Sequence, residues 1–129
     1  MKKIRATQQT IVFALFVVMA TGLALFLPGF AQVDKVREML AKYKNLWADL
    51  AFRSDQAPSG KLDAAWRKLF LDYPERFMVG TDTYTPERWH YVVEHAAYSR
   101  KWLAELPPDL ADNIAFRNAE RLAARTMGQ

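Results

Sequence analysis

After residue 31 the chain offers only two short apolar runs suited to strands, Leu46–Phe52 (LWADLAF) and Phe77–Gly80 (FMVG). Between them Leu62, Ala65, Trp66, Leu69, Phe70 and Tyr73 recur at helical spacing, which predicts a helix stopped by Pro74. Two strands joined through a helix form a parallel, right-handed βαβ unit. Such a pair has two outer edges of unpaired backbone, and one helix layer covers little apolar area. The sheet edges must therefore be covered by a partner chain, a repositioned helix, or the membrane-proximal surface of a complex.

The remaining pattern is helical. Val33, Val36, Met39, Leu40 and Tyr43 alternate with Lys35, Arg37, Glu38 and Lys42, so Val33–Lys44 reads as an amphipathic helix. Arg53–Gly60 (RSDQAPSG) reads as a loop. Thr85 followed by Pro86 predicts a helix start with threonine as cap, and Trp89, Val92, Val93, Ala96, Ala97 and Leu103 then give an apolar face. Pro107 and Pro108 break that helix and open a last one carrying Leu110, Ile114 and Leu122. The expected order is α, β, α, β, α, α. With 129 residues the chain is too short for a complete (β/α)8 barrel, which needs roughly 250.

The N-terminal segment is of another kind. Lys2, Lys3 and Arg5 precede Ile11–Leu27, an apolar run of 17 residues in which only Thr21 and Gly22 are not strongly apolar. That length lies between a secretory signal and a membrane-spanning helix. Residues 1–31 are expected to be a signal-anchor, with residues 8–30 at the membrane. The positive charges hold the N-terminus in the cytoplasm and place residues 32–129 on the periplasmic side of a bacterial-type inner membrane. Gly29 and Ala31 also suit cleavage before Gln32, which would release a soluble periplasmic domain.

Charge and cysteine content narrow the chemistry. Of 18 basic side chains three lie in residues 1–31, which hold no acid, so the rest of the chain has fifteen bases against fourteen acids. A nearly neutral domain lacks the basic face that nucleic acid requires, and no nucleic-acid partner is expected. The absence of cysteine excludes disulfides, thiolate zinc sites and thiol nucleophiles.

Tyr73–Leu122 contains Pro74-Glu75-Arg76-Phe77, then Gly80-Thr81-Asp82, then Asn118-Ala119-Glu120-Arg121-Leu122. In this it resembles the C-terminal end of the amidohydrolase-related branch of the metal-dependent amidohydrolase superfamily. There a Pro-[Asp/Glu]-Arg-Phe step leads into the eighth barrel strand, which ends in Gly-[Ser/Thr]-Asp. Asn45–Leu50 (NLWADL) likewise resembles the start of the seventh strand. The likeness spans roughly Val33 to Ala124 and implies a fragment of a TIM barrel. It also implies that Asp82 corresponds to the aspartate that binds the active-site metal and handles the proton of the attacking water. The family's His-x-His and middle-strand ligands have no counterparts, and one carboxylate cannot hold a catalytic zinc, which usually needs three protein ligands.

Asp82 is accordingly read as a relic metal ligand that caps a turn or the next helix together with Thr83 and Thr85. His90 and His95, the only histidines, lie about 140° apart on a helix and on different faces. Ser54 and Ser99 lack nucleophile partners, and Arg53 and Asp55 read as solvated loop residues. Trp47, Trp66, Trp89 and Trp102 suit core or interface positions. Arg117, Arg121 and Arg125 form a stripe expected to pair with Glu120 and its neighbours, or to touch acidic lipid or protein.

The expected fold is thus α/β, a partial TIM barrel of two parallel strands and about four helices behind one transmembrane or signal helix. The expected function is a non-catalytic, membrane-anchored accessory subunit docked on other subunits or on its own copies, with no cofactor. The alternatives are a metal-dependent hydrolase completed by a partner chain, with a divalent metal such as zinc, and a secreted remnant without activity.

Overall fold

The structure, a computed structural model, describes residues 30–51 and 54–127. The apolar run Ile11–Leu27 lies outside the described residues, and among those described no helix is long and apolar enough to cross a membrane.

Helix α1 (Phe30–Lys42) buries Val33, Val36 and Leu40, the face given by the 3.6-residue period. The chain then enters strand β1 (Ala48–Asp49). Leu46, Ala48 and Leu50 are buried and Trp47 and Asp49 less so, the two-residue alternation of a strand. A 3-10 turn at Pro58–Gly60 leads to helix α2 (Ala64–Asp72). Asp63 caps α2 through its side chain, accepting from Ala65 N at 2.9 Å and Trp66 N at 3.1 Å. Arg37 of α1 donates to Asp72, which also accepts from Lys68 at 3.3 Å, so charge ties the two helices along their exposed seam.

Strand β2 (Phe77–Met78) pairs in parallel with β1, Ala48 opposite Phe77 and Asp49 opposite Met78. Ala48 N donates to Arg76 O at 2.8 Å and Leu50 N to Met78 O at 2.9 Å. Both strands are shorter than the apolar runs. On the edge of β2 that faces away from β1, Val79 N donates to Ile114 O at 3.0 Å.

Helix α3 (Tyr91–Leu103) follows a 3-10 turn at Pro86–Arg88. The C-terminal rod comprises α4 (Pro108–Asp112), a π turn at Asn113–Arg117 and α5 (Asn118–Met127). Counting this rod once, the described residues form four helical rods and one two-stranded parallel sheet. The core joins them around Trp66, Phe70, Phe77 and Trp102, with ring centroids 4.8 Å apart for Phe70–Phe77 and 5.7 Å for Phe70–Trp102. Near-perpendicular and offset rings of this kind add to the burial of their large apolar area.

The C-terminal rod solves the edge problem of β2. A π turn widens the helical ladder to i→i+5, seen in the Asn118 N bond to Asn113 O, and Ile114 O accepts from Val79. One turn on, Asn118 is buried and its Nδ2 donates to Phe77 O at 2.8 Å and Pro74 O at 3.0 Å. The cover on this edge is a helix of the same chain.

Three expectations are corrected. Thr85 makes no side-chain capping bond; its carbonyl accepts Arg88 N at 3.0 Å in a 3-10 turn, and α3 begins six residues later. Most of the predicted apolar face of α3 points outward, with Trp89 at 62% and Val93 at 75% exposure; of its members only Leu103 is buried, beside Ser99 and Trp102, which the predicted face did not include. Only the second half of α3 reaches the aromatic core. Arg117 pairs with Asp112 at 2.9 Å and more loosely with Asp109 at 3.9 Å, not with Glu120, because the π turn displaces the regular i,i+4 register.

Candidate functional site at the carboxyl ends of the strands

Parallel strands bring their carboxyl ends to one side, where α/β proteins place their chemistry. Asp49 ends β1, and Gly80, Thr81 and Asp82 follow β2 on the same side. Sequence reasoning gave Asp49 no role beyond its place in the Asn45–Leu50 motif. The available signal was its position as the last polar residue of a strand parallel to the one that leads to Asp82.

The Asp49 carboxylate packs against Gly80 so closely that a Cβ built there would lie 2.2 Å from Oδ1. Oδ1 also accepts Ala51 N–H at 2.7 Å. Burial pushes the Asp49 carboxyl above the ordinary range and the Ala51 hydrogen bond opposes this; the Asp82 charge raises it further and His95 lowers it. Asp82 and His95 are thereby each within electrostatic reach of Asp49.

Asp82 adopts φ 49°, a left-handed conformation uncommon for a residue other than glycine. Its Oδ2 accepts from Arg88 Nη1 at 2.9 Å, so the carboxylate is held by a guanidinium. Thr83, expected to share a cap with Asp82, bonds Thr81 instead, with the hydroxyls 2.7 Å apart.

Thr81, Tyr91, Glu94, His95 and Tyr98 line a cleft of about 230 Å³ beside these residues. Tyr98 OH lies 3.0 Å from Ala57 O and 3.3 Å from Ser54 O, anchoring the loop after β1. Burial pushes its phenol up, with Asp55 adding to the rise. Of the two histidines only His95 lines the cleft; His90 is exposed at the start of α3 and stacks on Tyr91, centroids 4.0 Å apart. Ser99 is buried and Ser54 engages Tyr98 through its backbone carbonyl. Arg53 lies outside the described residues.

Two carboxylates and an imidazole near one cleft are groups that can move protons. Among the described residues no group of three or more His, Asp or Glu side chains is placed to hold a metal ion. Arg88 also competes with any cation for Asp82. Among the described residues, then, three ligands of the kind a catalytic zinc usually has do not come together. No family model, curated protein or solved structure matches the chain.

Proposed function

We propose that the chain is a non-catalytic accessory subunit of a larger membrane complex, derived from an amidohydrolase barrel fragment and anchored through residues 1–31. One observation carries this reading. Between Tyr84 and Val93 the large apolar side chains of Tyr84, Trp89, Tyr91, Val92 and Val93 are all exposed, Tyr84 at 77% and Val93 at 75%. Aromatic residues are enriched at protein interfaces, and three of these five side chains are aromatic. The surface adjoins the cleft at the strand ends, where the barrel resemblance would place neighbouring strands and loops. Tethering by the N-terminal segment raises the effective concentration of a partner, so a modest interface suffices.

The test is purification of the full chain from its native membranes in neutral detergent. A second protein at fixed stoichiometry, lost in Trp89→Glu and Val93→Asp, is the expected result. A monomer unaffected by either substitution refutes the docking role. The convergence of Asp49, Asp82 and His95 favours a second reading, a hydrolase whose remaining ligands come from a partner chain. A stoichiometric metal that disappears in Asp82→Ala would replace the first reading with the second.

A further inference from the structure

Three arginines are neutralised by carboxylates: Arg37 meets Asp72, Arg88 meets Asp82 and Arg117 meets Asp112. At the opposite side of β1 and β2 the pattern changes. Lys44, Trp47, Glu75, Arg76, Arg121 and Arg125 line a cleft of about 140 Å³. Four cationic side chains share it with one carboxylate, and Glu75 forms no ion pair among the described residues; only its backbone carbonyl is engaged, accepting Trp47 Nε1 at 3.0 Å.

The guanidinium partners are neutral. Arg76 Nε donates to Leu46 O at 2.6 Å and Nη2 to Tyr43 O at 2.7 Å, and the group lies 5.2 Å from the Trp47 ring centroid. Arg121 donates to the side-chain oxygens of Asn113, at 3.1 Å, and Asn118. Arg125 lies 5.7 Å from the same Trp47 ring. These contacts fix orientation without cancelling charge. A guanidinium has five N–H donors, so Arg76 keeps three beyond its two carbonyl bonds. Burial pulls the Arg76 guanidinium below its ordinary value, though it stays charged at neutral pH. Gathering further cations around the half-buried Arg76 guanidinium is costly, and an anion between them relieves the cost.

We propose that this cleft is a binding site for a phosphate-bearing anion. Guanidinium forks pair with phosphate oxygens in a planar, two-pronged geometry that an ammonium cannot reproduce. Arg76 supplies the rigid, partly buried fork, and Arg121 and Arg125 close from α5 with Trp47 as platform. The dimensions suit a single phosphate group, from a soluble phosphate ester or from a lipid headgroup; the site does not depend on the docking surface proposed above.

The experiment uses the full chain in neutral-detergent micelles and follows the Trp47 indole N–H by NMR while inorganic phosphate is added at constant ionic strength. The expected result is a saturable shift that chloride does not produce. Arg121→Gln and Arg125→Gln, both at exposed positions, are each expected to weaken binding about tenfold, as loss of a charge-assisted bond would, with the thermal midpoint retained in Arg125→Gln, whose side chain makes no hydrogen bond among the described residues. Arg121→Lys should recover only part of the affinity. A second arm compares phosphatidylglycerol with phosphatidylcholine vesicles. A preference for the former exceeding that for inorganic phosphate identifies a lipid headgroup, and its absence alongside phosphate binding identifies a soluble ester. No saturable shift in either arm, an equal response to chloride, or unchanged affinity in the doubly substituted Arg121→Gln, Arg125→Gln protein overturns the proposal.

Discussion

Replacing Asn118 by alanine removes the group that closes β2, and the cost follows from the geometry. Ala48 and Leu50 draw their carbonyl partners from Arg76 and Met78, so Phe77 O faces the other way, toward the C-terminal rod. Phe77 is fully buried and Asn118 is 1% exposed, leaving water little access to that carbonyl. Asn118 Nδ2 serves it at 2.8 Å and Pro74 O at 3.0 Å. A buried polar group left unsatisfied costs about 1–3 kcal/mol, and a second lost hydrogen bond about 0.5–1.5 more, so Asn118→Ala should lose about 1.5–4.5 kcal/mol. Against a typical domain stability of about 5–15 kcal/mol this is a large fraction. In a domain near 100 residues it lowers the midpoint by about 10–25 °C. Thermal and urea unfolding of the full chain in neutral detergent, followed by circular dichroism, measures it. A loss below about 0.5 kcal/mol, the size of an ordinary surface substitution, would refute the claim that this side chain seals the sheet edge.

Other outcomes follow from the strand-end cluster. Gly80→Ala forces a methyl to within 2.2 Å of Asp49 Oδ1 and is expected to destabilise by about 1–3 kcal/mol through overpacking; combining it with Asp49→Ala should recover part of the loss, a non-additivity that a double-mutant cycle detects. Asp49→Asn tests the raised carboxyl. Because the folded-state value lies above the unfolded one, stability from this group is present in acid below the ordinary carboxylate range and is lost as pH rises through the folded value. The asparagine variant should therefore gain in melting temperature relative to the native chain at neutral pH, and the gain should vanish toward pH of about 4; a pH-independent difference would contradict the burial argument.

Local structure was legible because it is set by nearest neighbours along the chain. The period of Val33, Val36 and Leu40 gives α1, the alternation of Leu46, Ala48 and Leu50 gives a strand, and Pro74 and Pro107–Pro108 mark where helices stop. Parallel pairing of β1 and β2 follows from the helix between them, and the need for an edge cover follows from counting strands. Which group provides that cover was beyond local pattern. It takes a π turn at Asn113–Arg117 and an amide at Asn118, forty-one residues from the carbonyl it serves.

Helical periodicity names an apolar face on α3 but cannot say what lies opposite it; tertiary packing presents Trp89 and Val93 to solvent and turns Trp102 to the core. The strand-end cluster likewise needs Asp49 folded against Gly80, two positions whose contact exists only because the strands pair in this register. Net charge showed a nearly neutral domain, since composition sums over space. The fold separates what the sum conceals, placing Lys44, Arg76, Arg121 and Arg125 around Trp47 from three distant parts of the chain. Short-range sterics and periodicity thus determined the elements, whereas long-range contacts decided the edges, the exposed apolar surface and the position of the uncompensated charges.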